Sequence, residues 1–506
     1  MTAPKGPELF FGLVGAVGSR LSTITTQLMH SLARVGYQTE IVRSIELLHQ
    51  IQEYDKTMER TPEDRRYTTY MDAGDRFREQ IELGDALARL SIGSVRKKRK
   101  SVTGSQDTPI PRWAYVFQSL KHPHEVELLR RVYGPNFYLI SSYVPKWIRH
   151  QNLVADIAAS NYNSQREQYS GVASKLIERD EFDGENPLAL GQRVRDTFPE
   201  GDLFIDASDI TSARRSLDRF IELLFKNTFL TPTKSEYAMH HAQAAAYRSA
   251  AMGRQVGAAI ATPDGDILAV GTNEVPKFGG GLYWSDDSED GRDHTKGYDV
   301  SDKKKHELLA EVLNRFKEAG WLDALKDKPV ATILEEAVPL LKATRLMSLI
   351  EFGRAVHAEM AAMLDAARRG SAIKGTTLYT TTFPCHECAR HIIAAGIHHV
   401  QYIEPYPKSL AREFHLDSIE IDPVGNITDK VVFKPFVGVA PRMYSSLFRM
   451  TDRKDKTKGH VIEWQPSSDL IPRHAVTPLA YMDNERVELD ELYRRITLKE
   501  LILTTA

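Results

Sequence analysis

The chain has 506 residues, 42% hydrophobic and 26% charged, with a formal net charge of -2 and a pI near 6.8. That length predicts two or three domains rather than one core, and the balanced charge excludes a global electrostatic footprint for nucleic acid. No apolar run approaches the roughly 20 residues that span a bilayer, and no signal-peptide core precedes the first strand, so a cytoplasmic protein without a membrane partner is expected. Cys385 and Cys388 are the only cysteines, which excludes a disulfide scaffold and fits a reducing compartment.

Residues 8–17 read Glu-Leu-Phe-Phe-Gly-Leu-Val-Gly-Ala-Val, an apolar run predicted as a strand. It passes through Gly18-Ser19-Arg20 into a helix expected over 22–34, with Gly36 as its stop. Strand, glycine-rich turn and helix is the context in which backbone N–H groups cradle a phosphate. Aligning Gly18 with the last glycine of G-x-x-x-x-G-K-[ST] puts Leu13 at the first glycine, Ser19 at the lysine and Arg20 at the Ser/Thr. Two readings of Gly15, Gly18 and Ser19 stand at this point. One is a nucleotide-binding loop without its lysine; the other is a tight turn whose small residues serve packing.

Further strands are expected at 39–45, 113–120 and 137–144, with helices at 72–90, 123–133 and 146–159. Arg96-Lys97-Lys98-Arg99-Lys100 reads as a solvated loop, or as one that holds RNA or a nucleotide phosphate. Leu203-Phe204-Ile205-Asp206 is a short strand ending in a carboxylate. This alternation predicts a parallel α/β domain over 1–231, similar in arrangement to the P-loop kinase type.

Thr231-Pro232-Thr233 marks the start of a second domain, 232–506. An Ala-rich helix is expected over 235–253. Two strands then flank a turn at Asp264-Gly265 and end at Gly271-Thr272-Asn273. An insertion follows over about 277–355. Its Gly279-Gly280-Gly281 beside Tyr283 and Trp284 suits the hinge of a lid, or belongs to a solvated insertion. Its acidic residues Asp286, Asp287, Glu289, Asp290 and Asp293 suit Mg²⁺ held with a nucleotide triphosphate. Helices are expected at 303–319 and 330–342.

His357-Ala358-Glu359 opens a helix expected over 356–368, and Pro384-Cys385-His386-Glu387-Cys388 opens another over 385–395, fed by a strand at 376–383. One imidazole and two thiolates give Zn²⁺ three protein ligands and leave one tetrahedral position open. A catalytic site needs that opening, because zinc brings the pKa of water toward neutrality. Helix N-termini favour the thiolates. A lone C-x-x-C also reads as a structural zinc knuckle or a redox pair; the H-x-E half, the proline and the strand before it argue against both. Later strands are expected at 399–404 and 419–422.

Together, H-x-E and P-C-x-x-C resemble the signature of the zinc-dependent nucleobase deaminases, and helix, hairpin and two motif-bearing helices follow the order of the cytidine deaminase fold. Asn273, Tyr379, Arg254-Gln255-Val256-Gly257-Ala258 and the run from Tyr402 to Ser409 bring the resemblance to the deoxycytidylate deaminases. With the P-loop-like domain and the insertion, the whole chain is similar to the bacterial anti-phage dCTP/dCMP deaminases. The resemblance implies deamination of free deoxycytidine nucleotides, dCTP or dCMP, which depletes dCTP during infection. It also implies that activity is held in check until infection, in some such systems by a small RNA; the loop at Gly15–Ser19 adds the expectation that the first domain senses a nucleotide or a phage-dependent signal and gates the deaminase across a homo-oligomer. The resemblance assigns zinc to His357, Cys385 and Cys388, and attack on cytosine C4 to zinc-activated water. Glu359 then moves protons to N3 and to the departing ammonia. Asn273 matches the position that bonds the deoxyribose, and Arg254, Tyr406 and Lys408 are candidate substrate contacts; for Arg254 and Lys408 a surface salt bridge is the other reading. Two alternatives remain. A polynucleotide or tRNA deaminase is opposed by the near-neutral charge, and a nucleotide sensor with structural zinc is opposed by Glu359.

Overall fold

Strands buried on both faces read as continuous apolar runs, and β1 (Leu9–Val14), β3 (Trp113–Gln118) and β4 (Phe137–Tyr143) are of this kind. In the computed structural model, which describes residues 6–503 apart from 182–189, 342–343, 407, 424, 426–428, 450–451 and 474–477, they lie at the centre of a sheet. Its order is β12-β5-β4-β1-β3-β2, with β2 Gln38–Arg43, β5 Leu203–Asp206 and β12 Gly438–Val439. Every pairing is parallel except β12 with β5. Side chains alternate across β1: Leu9, Phe11 and Leu13 enter one apolar cluster, Phe10 and Val14 the other. Helices cover both faces, as a parallel sheet requires.

Two expectations for this part of the chain are corrected. The helix expected over 72–90 is two helices, Glu63–Ile81 and Ala86–Thr103, separated at Glu82, which has φ 59°. The basic run 96–100 is not a solvated loop. It lies on the second of these helices, with Arg96 and Arg99 buried. Arg99 Nε donates to the Glu8 carboxylate at 3.0 Å and its Nη2 to Glu485 Oε1 at 2.9 Å, while Arg96 Nη2 reaches Asp107 at 2.8 Å. A guanidinium this deep stays charged because it has carboxylates on two sides.

Those contacts also move a domain boundary. Glu485 sits on the helix Pro478–Leu498, whose Tyr481 hydroxyl donates to Glu8 Oε2 at 2.9 Å, and β12 extends the first sheet. One compact unit is therefore Met1–Glu236 with Val437–Ala506, and the other is Tyr237–Phe436. A second domain running to residue 506 is not what the structure shows, since the C-terminal segment buries its charges and aromatics against the first sheet.

The second unit is built on a sheet ordered β10-β11-β9-β8-β6-β7. Here β6 is Gly257–Ala261, β7 Ile267–Thr272, β8 Thr377–Thr382, β9 His399–Glu404, β10 Ile419–Ile421 and β11 Val431–Pro435. β6 runs antiparallel to β7 and β8, while β8, β9, β11 and β10 are parallel. Two glycines set the approach of helices to this sheet. A Cβ at Gly257 would stand 1.9 Å from the Ala242 carbonyl oxygen, and one at Gly271 would stand 2.2 Å from that of Ala358 and 2.3 Å from the Ala362 nitrogen. Only glycine lets the helix Ala358–Arg368 lie this close to β7.

In the insertion, Gly279, Gly280 and Gly281 all take positive φ, and the Lys277 N–H donates to the Gly281 carbonyl at 3.0 Å. This is a tight turn closed by its own hydrogen bond. The helices Val300–Glu318 and Val330–Leu341 bury Leu309, Leu313 and Ile333 in a small core of their own. Among the described residues no helix is long and apolar enough to cross a membrane.

Candidate active site

Cys385 and His357 are the N-cap residues of two helices, His386–Ala394 and Ala358–Arg368, and Glu359 lies in the first turn of the latter. The carboxyl end of β8 runs through Phe383-Pro384 into Cys385. The Phe383 N–H donates to the Glu404 carbonyl at 2.7 Å, and Ser409 Oγ donates to the Pro384 carbonyl at 2.8 Å. The approach to the first cysteine is thus pinned on two sides. Before His357, Val356 and Glu274 exchange backbone hydrogen bonds at 3.0 and 3.2 Å. The buried Glu274 carboxylate takes the N–H groups of Ala250 and Val275 at 2.8 and 2.9 Å.

His357 Nδ1 is 3.2 Å from Cys385 Sγ and 3.3 Å from Cys388 Sγ, and all three ligand atoms lie within 4.8 Å of one another. A tetrahedral zinc, with Zn–S near 2.3 Å and Zn–N near 2.0–2.1 Å, sets N and S about 3.5 Å apart. The observed spacing therefore fits the ion with little adjustment, and the donor types are those zinc takes. Hydrogen bonds from Cys388 and the His357 imidazole push the Cys385 thiol down against the cost of its burial, which favours the thiolate that a metal takes, while the same pairing and burial push Cys388 up. Glu359 is buried, its Oε2 3.4 Å from Cys388 Sγ. Burial, with the Cys385 charge adding to it, raises this carboxyl to about 7.

The other predicted residues divide. Asn273 bonds the backbone through both ends of its amide: one Nδ2 hydrogen goes to the Arg254 carbonyl at 2.8 Å and Oδ1 accepts the Val256 N–H at 2.7 Å. Arg254 Nη1 meets Glu404 Oε2 at 3.1 Å, and the same oxygen accepts Thr382 Oγ1 at 2.8 Å. Burial and the Cys385 charge raise the phenol of the half-buried Tyr406, and Arg254 lowers it. Asn273, Arg254, Glu404 and Thr382 thus form one hydrogen-bonded series at the carboxyl end of β8. Lys408 is exposed. Glu404, Thr382 and Glu274 were not singled out from sequence; Glu404 falls inside the Tyr402–Ser409 run, whereas nothing local marks Glu274.

The acidic residues of the insertion do not converge on a cation. Asp287 pairs with Lys277, Asp290 with Arg292 at 2.6 Å, and Asp293 with Arg354. Among the described residues His357, Cys385 and Cys388 are the cluster suited to a metal, so the Mg²⁺ expectation finds no support there. Gly15, Gly18 and Ser19 lie in the first unit, on the loop between β1 and the helix Leu21–Ala33, where the Val17 N–H donates to the Asp180 carboxylate.

Residues 232–404 match the family described as the cytidine and deoxycytidylate deaminase zinc-binding region. The deoxycytidylate deaminase of Enterobacteria phage T2 is 48% identical over 103 residues, which cover 18% of this chain and 53% of that protein. That of Enterobacteria phage T4 is 48% identical over 54 residues, 11% of this chain and 28% of the other. The chain thus spans about half or less of the curated relatives it matches. The crystal structure of dCMP deaminase from cyanophage S-TIM5 in complex with dCMP and dUMP is 18% identical, with a TM-score of 0.22, over 40% of this chain and 98% of that one. That score is too low to carry residue positions from one chain to the other. The matched stretch is similar to a deaminase zinc-binding region, and it contains His357, Glu359, Cys385 and Cys388.

Proposed function

We propose that the second unit is a zinc-dependent deaminase of free deoxycytidine nucleotides. The observation that carries this reading is the cluster of His357, Cys385 and Cys388 with the buried Glu359 carboxyl 3.4 Å from Cys388. His357, Cys385 and Cys388 would hold Zn²⁺, which when bound brings the pKa of a water molecule toward neutrality. Glu359 is not needed as a ligand and is placed to move protons. Water adds to C4 of cytosine; Glu359 takes the proton the water loses and places it on N3. It then passes on the second proton as the C4–N4 bond breaks and ammonia leaves. The C4–oxygen bond formed becomes the carbonyl of the uracil product. A carboxyl raised to about 7 both accepts and releases a proton near neutral pH.

Arg254 and Tyr406 are the substrate contacts we assign nearest the site, with Arg254 exchanging Glu404 for a phosphate oxygen. Asn273 sets the position of Arg254 through the backbone and keeps one amide hydrogen for the sugar. To this chemistry we attach the depletion of dCTP in phage-infected cells, with the first unit as the regulatory part. What supports that assignment is the order of a parallel α/β unit, an insertion and the H-x-E and P-C-x-x-C motifs along the chain, which resembles that of the anti-phage deaminases.

The test is mass spectrometry of the products formed by the zinc-loaded protein from dCMP, dCTP, CTP, deoxycytidine and a cytosine-containing single strand. Conversion of the deoxycytidine nucleotides, with little of the others, is expected. A preference for the single strand overturns the reading.

A further inference from the structure

The first unit carries a group of buried polar atoms at the carboxyl ends of β1 and β4 that its packing does not require. The Val17 N–H, on the loop after β1, donates to Asp180 Oδ2 at 2.6 Å. Asp180 lies on the helix Ser170–Glu181 with its side chain fully buried. Its other oxygen accepts from Lys121 Nζ at 2.7 Å, and Lys121 Nζ also reaches the Gly15 carbonyl at 3.3 Å. A buried anion therefore sits on an amide of the loop. It is neutralised by a lysine from the segment after β3, although the loop's own sequence has none.

Around this ion pair the loop leaves polar atoms unused. Ser19 Oγ, Ser142 Oγ and Arg149 Nη1 are buried and have no hydrogen-bond partner among the described residues. Ser19 is 5% exposed and Ser142 2%. A Cβ at Gly15 would stand 2.9 Å from Ser19 Oγ and 3.1 Å from the Ser142 carbonyl oxygen, so Ser19 faces the space that glycine keeps clear. Gly18, at φ +83°, would bring a Cβ within 2.6 Å of the Arg149 carbonyl oxygen. Buried polar atoms are paired in native structures unless a role accounts for them. The carboxyl edge of an open parallel sheet is where such folds take their ligands.

We propose that Gly15–Ser19, Lys121 and Ser142 form an anion site for a phosphoryl group, and that the Asp180 carboxylate is its internal stand-in. The ligand chemistry is a phosphoryl oxygen cluster, supplied by inorganic phosphate or by the polyphosphate of a nucleotide. Two anions cannot share the Val17 amide and one lysine without strong repulsion. Phosphate occupancy and Asp180 docking are therefore mutually exclusive, and binding must release the end of the helix Ser170–Glu181. This inference does not depend on the reading of the metal site.

The experiment titrates the full-length protein with inorganic phosphate, tripolyphosphate and ATP, followed by calorimetry and by thermal protection. Asp180→Asn is expected to bind tripolyphosphate at least about tenfold more tightly than wild type, and Lys121→Met added to that variant is expected to abolish the gain. Equal binding of tripolyphosphate and ATP identifies the polyphosphate as the ligand, tighter ATP identifies a nucleotide, and inorganic phosphate as good as either identifies a single phosphoryl group. Binding no tighter in Asp180→Asn, or a gain that survives Lys121→Met, overturns the proposal. Should Asp180→Asn not fold, Lys121→Met alone is compared with wild type at millimolar tripolyphosphate. Protection absent from the variant but present in wild type supports the site; protection that wild type lacks, or that the variant keeps, overturns it.

Discussion

Glu359 shows how much one side chain's surroundings decide. In the metal-free protein its burial favours the neutral form, so its pKa is higher folded than unfolded. The stability it contributes is fully present below its unfolded value and is lost as pH rises toward about 7. Glu359→Gln removes that titration. The stability of the metal-free variant relative to metal-free wild type should therefore rise with pH across this window, by up to about 1.4 kcal/mol per pH unit, and level off above it. Denaturant midpoints for both proteins at several pH values measure this; a difference that does not change with pH would refute it. At Arg254 the question is phosphate against surface ion pair. If its guanidinium binds the substrate phosphate through a charge-assisted hydrogen bond, Arg254→Ala should raise KM for dCMP about 10- to 100-fold while leaving that for deoxycytidine alone. An equal change for both substrates would return Arg254 to its pairing with Glu404. The cluster of His357, Cys385 and Cys388 was legible as a candidate metal site because zinc chemistry fixes residue type and spacing. Arg99 was not: it sits in a run of five basic residues that looks solvated, and its partners Glu8 and Glu485 are distant in the sequence.

At the scale of elements, the site depends on two helix N-termini held over one sheet. The helix beginning at Ala358 is seated by Gly271, whose missing side chain lets β7 touch the helix backbone. Backbone cannot yield as a flexible side chain can, so Gly271→Val should cost at least about 1–3 kcal/mol and lower zinc retention as His357 moves with its helix. Thermal denaturation and metal analysis of the purified variant check both effects; a stable variant with full zinc would contradict this account of the packing. The strands of both sheets other than β11 and β12 were legible as apolar or β-branched runs, and the hairpin at Asp264-Gly265 as a turn signal. The break at Glu82 was not, because a left-handed glutamate carries no sequence mark. Nor was β12, which is two residues long and has meaning only beside β5.

For the whole molecule, the return of Val437–Ala506 to the first unit changes which fragments are meaningful. A cut at residue 232 would carry this segment away from Glu8, Arg99 and β5, whereas the boundaries at Tyr237 and Phe436 follow the packing. Glu485→Ala should destabilise the first unit by about 3–5 kcal/mol, because it strips a carboxylate from a fully buried guanidinium. Limited proteolysis should then cut the first unit ahead of the second; unchanged resistance would show that Glu8 alone suffices. The polarity of the long-range partners is what sequence could not supply, since each of these charges reads locally as surface. The central claim, that a carboxyl beside a His/Cys/Cys metal site deaminates deoxycytidine nucleotides, has one direct measurement. It is the turnover of dCMP and dCTP by zinc-loaded wild type and by zinc-loaded Glu359→Gln, each shown folded and of equal metal content. Loss of at least about 10²–10⁴-fold in the variant, with zinc retained, is predicted; turnover at the wild-type rate by Glu359→Gln would contradict it.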